Sequence, residues 1–353
     1  MAEVVPPADL KVRARLALAR TARGVARTLR ILLDWTARAT VWALELLARL
    51  VAALGRAARS VAAVVPSLVA QLARYARLMR LHQPIGIWLL LWPTLWALWI
   101  AGDGRPDERM LIVFVVGTII TRSAGCVIND LADRKFDRHV RRTSGRPLAT
   151  GEVDAAEAVI LFIGLMLIAL GLVLTLNRPT LYLALGAAAI MAIYPFAKRA
   201  FAAPQLVLGI AFAWGVPMAY AAQLGSVPRV GWLLFLTALI WVVVYDTEYA
   251  MVDRDDDARV GVRSTAILFG EMDRLLIGVL QVSLLGGLAL VGARADLGAW
   301  YYGSLAAGTA SCIYQQVLIR SREPERCLRA FSSNAWLGAA VFVGILLDYF
   351  YAD

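Results

Sequence analysis

Two runs of acidic side chains give this sequence its chemistry. Asn129, Asp133 and Asp137 are spaced four apart, so a helix through them presents all three on one side, with Asp130 at the edge of that face. Like charges so close repel. The run is therefore either a solvated helix end or a set of oxygens awaiting a hard divalent cation; Mg²⁺ takes one or two carboxylates and completes its shell with water and substrate phosphate. The second run contains Asp246, Tyr249, Asp253 and Asp257, which share one face if a single helix carries them all. Two such clusters facing each other at one depth can hold two Mg²⁺ ions and clamp a diphosphate whose oxygens bridge the metals. Arg122 lies seven residues before Asn129 on the same helical face, within an apolar run. An arginine inside a membrane is costly and marks a functional site unless it snorkels to the interface, so Arg122 is expected to face a cavity and bind an anion. Arg134 and Arg254 each follow a motif aspartate and are placed to neutralise a diphosphate, or simply belong to basic loops. His82 and His139 are isolated, and Cys126, Cys312 and Cys327 form neither a metal spacing nor a disulfide framework.

The elements that must position these groups are membrane helices. The 353 residues are 60% hydrophobic with a mean hydropathy of +0.66, far from the composition of a soluble domain. Apolar runs near 85–101, 110–128, 157–176, 179–195, 203–223, 231–250, 273–291, 298–319 and 335–351 predict an all-α polytopic membrane protein of about nine transmembrane helices in one bundle with a central cavity. Arginine and lysine are concentrated in every second connection, which by the positive-inside rule makes those loops cytoplasmic and places both acidic clusters at cytoplasmic helix ends. The net charge of +10 resembles a nucleic-acid footprint until it is divided by position. Residues 1–80 hold 14 basic and 4 acidic side chains, which accounts for the whole excess, so no nucleic-acid partner is expected. Residues 1–75 read as a basic amphipathic helical extension lying on an anionic lipid surface, with Arg13, Arg20, Arg23, Arg27 and Arg30 on one face, and residues 76–353 as the transmembrane domain. An Arg-rich, acid-poor amphipathic start also resembles a mitochondrial transit peptide, so the expected location is the bacterial cytoplasmic membrane, with the mitochondrial inner membrane as the alternative.

The runs NDLADRKFD (129–137) with RTSGRPLATG (142–151), and YDTEYAMVDRDDD (245–257) with STAILFG (264–270), resemble the two aspartate-rich motifs of the UbiA family of intramembrane aromatic prenyltransferases. RLHQPIGIWLLLWPTLWAL (80–98) and YPFAKR with PQLVLG (194–209) extend the likeness over about residues 65–353, closest to the branch that prenylates 4-hydroxybenzoate for ubiquinone. The resemblance implies Mg²⁺ dependence, a polyprenyl diphosphate donor, 4-hydroxybenzoate as acceptor, and a lipid bilayer around the enzyme. It places metal and diphosphate on Asn129, Asp133, Asp137, Asp253 and Asp257, with Asp130 and Asp246 linked to the metals. Lys198 and Arg199 match the family's basic pair, meeting diphosphate oxygens or the acceptor carboxylate. Arg199 is favoured for the carboxylate and Arg122 for the diphosphate. Tyr194, one turn before Lys198, either faces the reacting carbon or belongs to the interfacial aromatic belt.

The implied reaction joins an electron-rich ring carbon to an allylic carbon as diphosphate departs, with the apolar bundle and the loop containing residues 138–150 forming a lid that excludes water. A family member with a chlorophyllide, naphthoate or haem acceptor is the nearest alternative. A cation-coupled transporter is the remote one, because its acids and broken helices would lie near the bilayer midplane and these clusters do not.

Overall fold

A computed structural model describes residues 42, 47, 65–138, 143–201, 203–260 and 263–351. Every regular element among them is helical, as the apolar patterning predicts. Two compact units separate at Leu72 and Ala73. Of the first unit only Trp42, Leu47 and the start of α1 (Val65–Leu78) are described, so the amphipathic extension expected over residues 1–75 lies largely outside the described residues.

The second unit continues with α2 (Ile85–Ala101), α3 (Glu108–Asp137), the single turn α4 (Pro147–Thr150), α5 (Ala155–Val173), α6 (Arg178–Ala200), α7 (Pro204–Ala213), α8 (Gly215–Leu224), α9 (Arg229–Ala250), α10 (Arg254–Val260), α11 (Thr265–Phe269), α12 (Asp273–Arg294), α13 (Ala299–Ile319) and α14 (Pro324–Tyr351). A helix falls on each apolar run. Six stretches are long and apolar enough to cross a membrane: Glu108–Lys135, Ala155–Val173, Pro204–Leu224, Arg229–Ala250, Thr265–Arg294 and Pro324–Tyr351. Ile85–Ala101 and Arg178–Ile193 are shorter apolar helices, and α13 carries tyrosines, serines and the paired Gln315 and Gln316 along its length.

Successive helices are neighbours, and the last returns to the first: α2 packs on α3, α3 on α5, α6 on α7, α7 on α9, α9 on α12, α12 on α13, α13 on α14 and α14 on α2. The result is a closed ring. It is thinnest between α5 and α6, which touch only sparsely. Ile160 and Leu167 on α5 are 70% and 62% exposed, as expected of side chains facing lipid.

Large aromatic rings and small residues fit the rest together. Trp96 of α2 stacks on Trp241 of α9 with centroids 5.1 Å apart, and its indole N–H donates to the carbonyl of Gly338 on α14 at 3.1 Å. A methyl at Gly338 would lie 2.4 Å from Trp92 and 2.7 Å from Trp241, so only glycine admits both rings against α14. Beside this contact Trp241 Nε1 donates to Asn334 Oδ1 at 2.8 Å, and Asn334 Nδ2 donates to Glu248 Oε2 at 2.8 Å. All three residues are fully buried. Replacing Asn334 by Leu strands a buried carboxyl and a buried indole N–H, each costing about 1–3 kcal/mol. The expected result is a lower apparent Tm of the detergent-solubilised protein with both substrate KM values little changed.

Candidate active site

The ring encloses a cavity of about 950 Å³ with two different ends. Arg77, Arg80, His82, Asn129, Asp130, Arg146, Asp246 and Tyr249 line its polar end. Leu89, Phe114, Leu170, Leu185, Met191 and Leu208, drawn from α2, α3, α5, α6 and α7, are among those that line the apolar limb, which reaches the sparse α5–α6 seam.

α3 sets the register. It runs unbroken from Glu108 to Asp137, so Arg122 and Asn129, two turns apart, both reach the cavity. Arg122 lies against α2 where Gly86 leaves room; a methyl there would sit 2.5 Å from Nε of its guanidinium. Its Nη1 donates to the Cys126 sulfur at 2.7 Å, its guanidinium carbon lies 5.9 Å from the centre of the Phe212 ring, and its buried Nε has no hydrogen-bond partner. Among the described residues no carboxylate pairs with it. A cation in an apolar wall calls for an anion of the right size.

The carboxylates of the first run are held by arginines. Asp130, 1% exposed, accepts from Arg80 Nη2 at 2.5 Å and from Arg146 Nη1 at 3.0 Å; the same Arg146 nitrogen donates to Asp137 Oδ2 at 2.9 Å. Asp133 lies half-buried between them in sequence, and Arg134 is exposed and does not line the cavity. Sequence reasoning assigned no role to Arg80 or Arg146, although both stand inside the stretches that carry the family likeness. A carboxylate pair that must survive burial needs cations within reach, and these two arginines flank it on either side of the apolar runs.

The second run departs from the expectation of one continuous helical face. α9 ends at Ala250, the chain turns through Met251–Asp253, and α10 starts afresh at Arg254. The physical reason is the helix dipole. Four aspartates at the C-terminus of α9 would face its negative end, whereas restarting the helix puts Asp255, Asp256 and Asp257 in the first turn of α10, with the Asp257 N–H donating to the Asp253 carbonyl at 2.8 Å. Asp246 and Tyr249 line the cavity; Asp253 closes the turn, Asp257 follows it in α10, and neither is among the lining residues. Arg254, expected beside a diphosphate, is instead committed elsewhere: it pairs with Asp273 at 3.2 Å and Glu271 at 3.9 Å, and Arg322 joins them at 2.8 and 3.1 Å. Asp273 is fully buried at the start of α12, so it needs both guanidinia. The side chains of Tyr194, Lys198 and Arg199 at the end of α6, and His139, lie outside the described residues.

Among the described residues no three His, Cys, Asp or Glu side chains converge as a ready-made metal site. The donors that the two runs offer are nevertheless all oxygens, and the amide oxygen of Asn129 is buried in the cavity wall with no hydrogen-bond partner. That donor set fits a hard divalent cation.

Comparison with known proteins follows this geometry. The UbiA prenyltransferase family matches residues 90–343. The 4-hydroxybenzoate octaprenyltransferase of Alkalilimnicola ehrlichii is 56% identical over 275 residues, covering 78% of this chain and 94% of that protein, and the one of Nitrosococcus oceani is 57% identical over 275 residues, covering 78% and 96%. Among solved structures, the apo UbiA homolog from Aeropyrum pernix K1 superposes with a TM-score of 0.66 at 25% identity over 74% of this chain and 97% of that one. The UbiA homolog from Archaeoglobus fulgidus bound to GPP and Mg²⁺ gives a TM-score of 0.60 at 20% identity, covering 78% and 99%.

Proposed function

Because the chain belongs to the UbiA prenyltransferase family, a family of membrane enzymes, we propose that it transfers a polyprenyl group from polyprenyl diphosphate to the 3-position of 4-hydroxybenzoate, in a Mg²⁺-dependent step of ubiquinone biosynthesis. The observation that carries this reading is a cavity with a charged end, an apolar limb and, between apolar walls, an arginine that pairs with no carboxylate among the described residues. Its three parts suit a diphosphate, an isoprenoid tail and a benzoate carboxylate.

In this reading Asn129, Asp133, Asp137, Asp253 and Asp257 hold Mg²⁺, with Asp130 and Asp246 supporting them. The metal supplies charge stabilisation to the diphosphate as it leaves. Arg80 and Arg146 line the same end of the cavity, where the diphosphate would lie in this reading. Arg122 sits two helical turns, about 10 Å along α3, from Asn129. That separation leaves space for an aromatic ring between the two, so the geometry favours Arg122 for the acceptor carboxylate, where the sequence favoured it for the diphosphate. The C1–O bond of the donor breaks as C1 bonds to ring carbon 3, which the adjacent 4-hydroxyl makes nucleophilic; the proton on carbon 3 then leaves to the released diphosphate. Leu, Ala and Met side chains keep water from the allylic centre. The positive-inside pattern supports a cytoplasm-facing site in the bacterial inner membrane, with residues 76–353 as the catalytic unit and the preceding extension on the lipid surface.

The test is an assay of membranes containing the full chain with Mg²⁺, a polyprenyl diphosphate and ring-labelled 4-hydroxybenzoate. Labelled 3-polyprenyl-4-hydroxybenzoate is expected, and its loss with chelator. Transfer to a naphthoate or a porphyrin but not to 4-hydroxybenzoate would replace the acceptor while keeping the reaction class.

A further inference from the structure

The arginine bridge at the first carboxylate cluster has the geometry of a bound cation. One nitrogen, Arg146 Nη1, lies 3.0 Å from Asp130 Oδ1 and 2.9 Å from Asp137 Oδ2, joining two carboxylates seven residues apart. The side chains of those aspartates are only 2% and 9% exposed. Arg80 Nη2 donates to the same Asp130 oxygen at 2.5 Å. These four groups are neutral together, and both guanidinia line the polar end of the cavity.

Charge balance then restricts what can enter. A divalent cation that takes Asp137 with Arg146 still in place sets two cations against one carboxylate, and a diphosphate that enters without metal has to draw Arg146 away from the carboxylates that hold it. Each brings what the other lacks. The backbone of Arg146 is anchored: its N–H donates to the Thr143 carbonyl, and Pro147 behind it opens α4, whose Leu148 and Ala149 are buried against the bundle. Only the side chain has to rotate.

We propose that Arg146 is a placeholder cation, which holds Asp130 and Asp137 together before metal binds and moves to the donor's diphosphate when metal takes Asp137, so that divalent metal and prenyl diphosphate load with positive cooperativity. This rests on the prenyl-transfer reading above. Arg146 meets the donor only after metal has displaced it from Asp137, and its effect is on loading. By linkage the factor by which donor tightens metal equals the factor by which metal tightens donor.

The test uses the full chain in detergent, Mn²⁺ as the metal followed by electron paramagnetic resonance, and a non-reactive prenyl thiolodiphosphate. In the wild type the analogue is expected to tighten Mn²⁺ about tenfold or more, within the usual range of coupling between sites. In Arg146→Gln, Mn²⁺ without analogue binds about tenfold tighter than in the wild type, and the analogue adds less than about threefold. Wild-type coupling retained in Arg146→Gln, or no coupling in the wild type, overturns the proposal. Should Arg146→Gln not fold, Arg146→Lys carries the test: its ammonium ends one bond short of the Nη1 position that bridges the two oxygens, so coupling falls to about threefold, and full coupling with lysine overturns the assignment. Neither measurement uses an aromatic acceptor or counts turnover, so a wrong acceptor leaves both unchanged. Failure of the wild type to bind the thiolodiphosphate at all would overturn this proposal and the prenyl-transfer reading together.

Discussion

Asp133→Asn and Asp257→Asn each lower prenyl transfer about a thousandfold while the protein still inserts and keeps its apparent Tm. Each exchange preserves side-chain volume and removes one formal charge, so packing is untouched and only the oxygen donors change. A thousandfold loss corresponds to about 4 kcal/mol of transition-state stabilisation, the scale on which a metal-held leaving group is supported. Asp133 lies on α3 one turn after Asn129, and Asp257 lies in the first turn of α10, so the two variants probe clusters carried by different elements. The measurement is initial rate at saturating metal in membranes with matched protein level. Either variant retaining most of its activity there would take that cluster out of metal binding.

Arg122→Met raises the KM for 4-hydroxybenzoate about a hundredfold and leaves the KM for the prenyl diphosphate within about threefold, because a buried carboxylate deprived of its partner loses several kcal/mol, of which neutralisation returns a part. Arg122→Lys recovers only part of the loss, since it cannot present two parallel donors. Gly86→Ala is an independent arm of the same prediction. The new methyl meets the flexible end of Arg122 at 2.5 Å, so the guanidinium gives way and the fold does not. The acceptor KM then rises about tenfold with no residue of the cavity changed in charge. An acceptor KM unchanged in all three variants would mean that the carboxylate is held elsewhere, with Arg199 as the remaining candidate that the sequence favoured.

The sequence made α3 legible because a helix is a local object. The spacing of Arg122, Asn129, Asp133 and Asp137 is enough to place them on one face, and no tertiary contact interrupts the helix before Asp137. The second run was misread as one face for an equally physical reason. Periodicity says which residues would align on a continuous helix and is silent about where acid pressure ends it, and that break at Met251–Asp253 is decided by the dipoles of two helices. Arg254 shows a second limit. Its place after Asp253 makes it look like a diphosphate ligand, yet Asp273, distant in sequence and buried at the start of α12, claims it. Arg80 and Arg146 escaped notice because their partners lie 50 and 16 residues away, and no period links such pairs. The family likeness had both inside its motifs, so the letters were read and the pairing was not.

The bond from Asn334 to Glu248 also sets a timetable for biogenesis. The two residues are 86 positions apart, and a ribosome adds about 5–20 residues per second, so α9 is in or near the bilayer for about 4–17 s before its hydrogen-bond donor on α14 exists. Through that interval the carboxyl has no protein partner from α14 and must stay hydrated. Glu248 stands two residues before the end of α9, where water can reach a helix end that has not yet been closed in by its neighbours. Synthesis of the last helix then closes the ring and dries the carboxyl at the same moment. A chain stopped short of Asn334 therefore carries an acid that it cannot bury, a distinguishing mark by which quality control can separate unfinished bundles from finished ones.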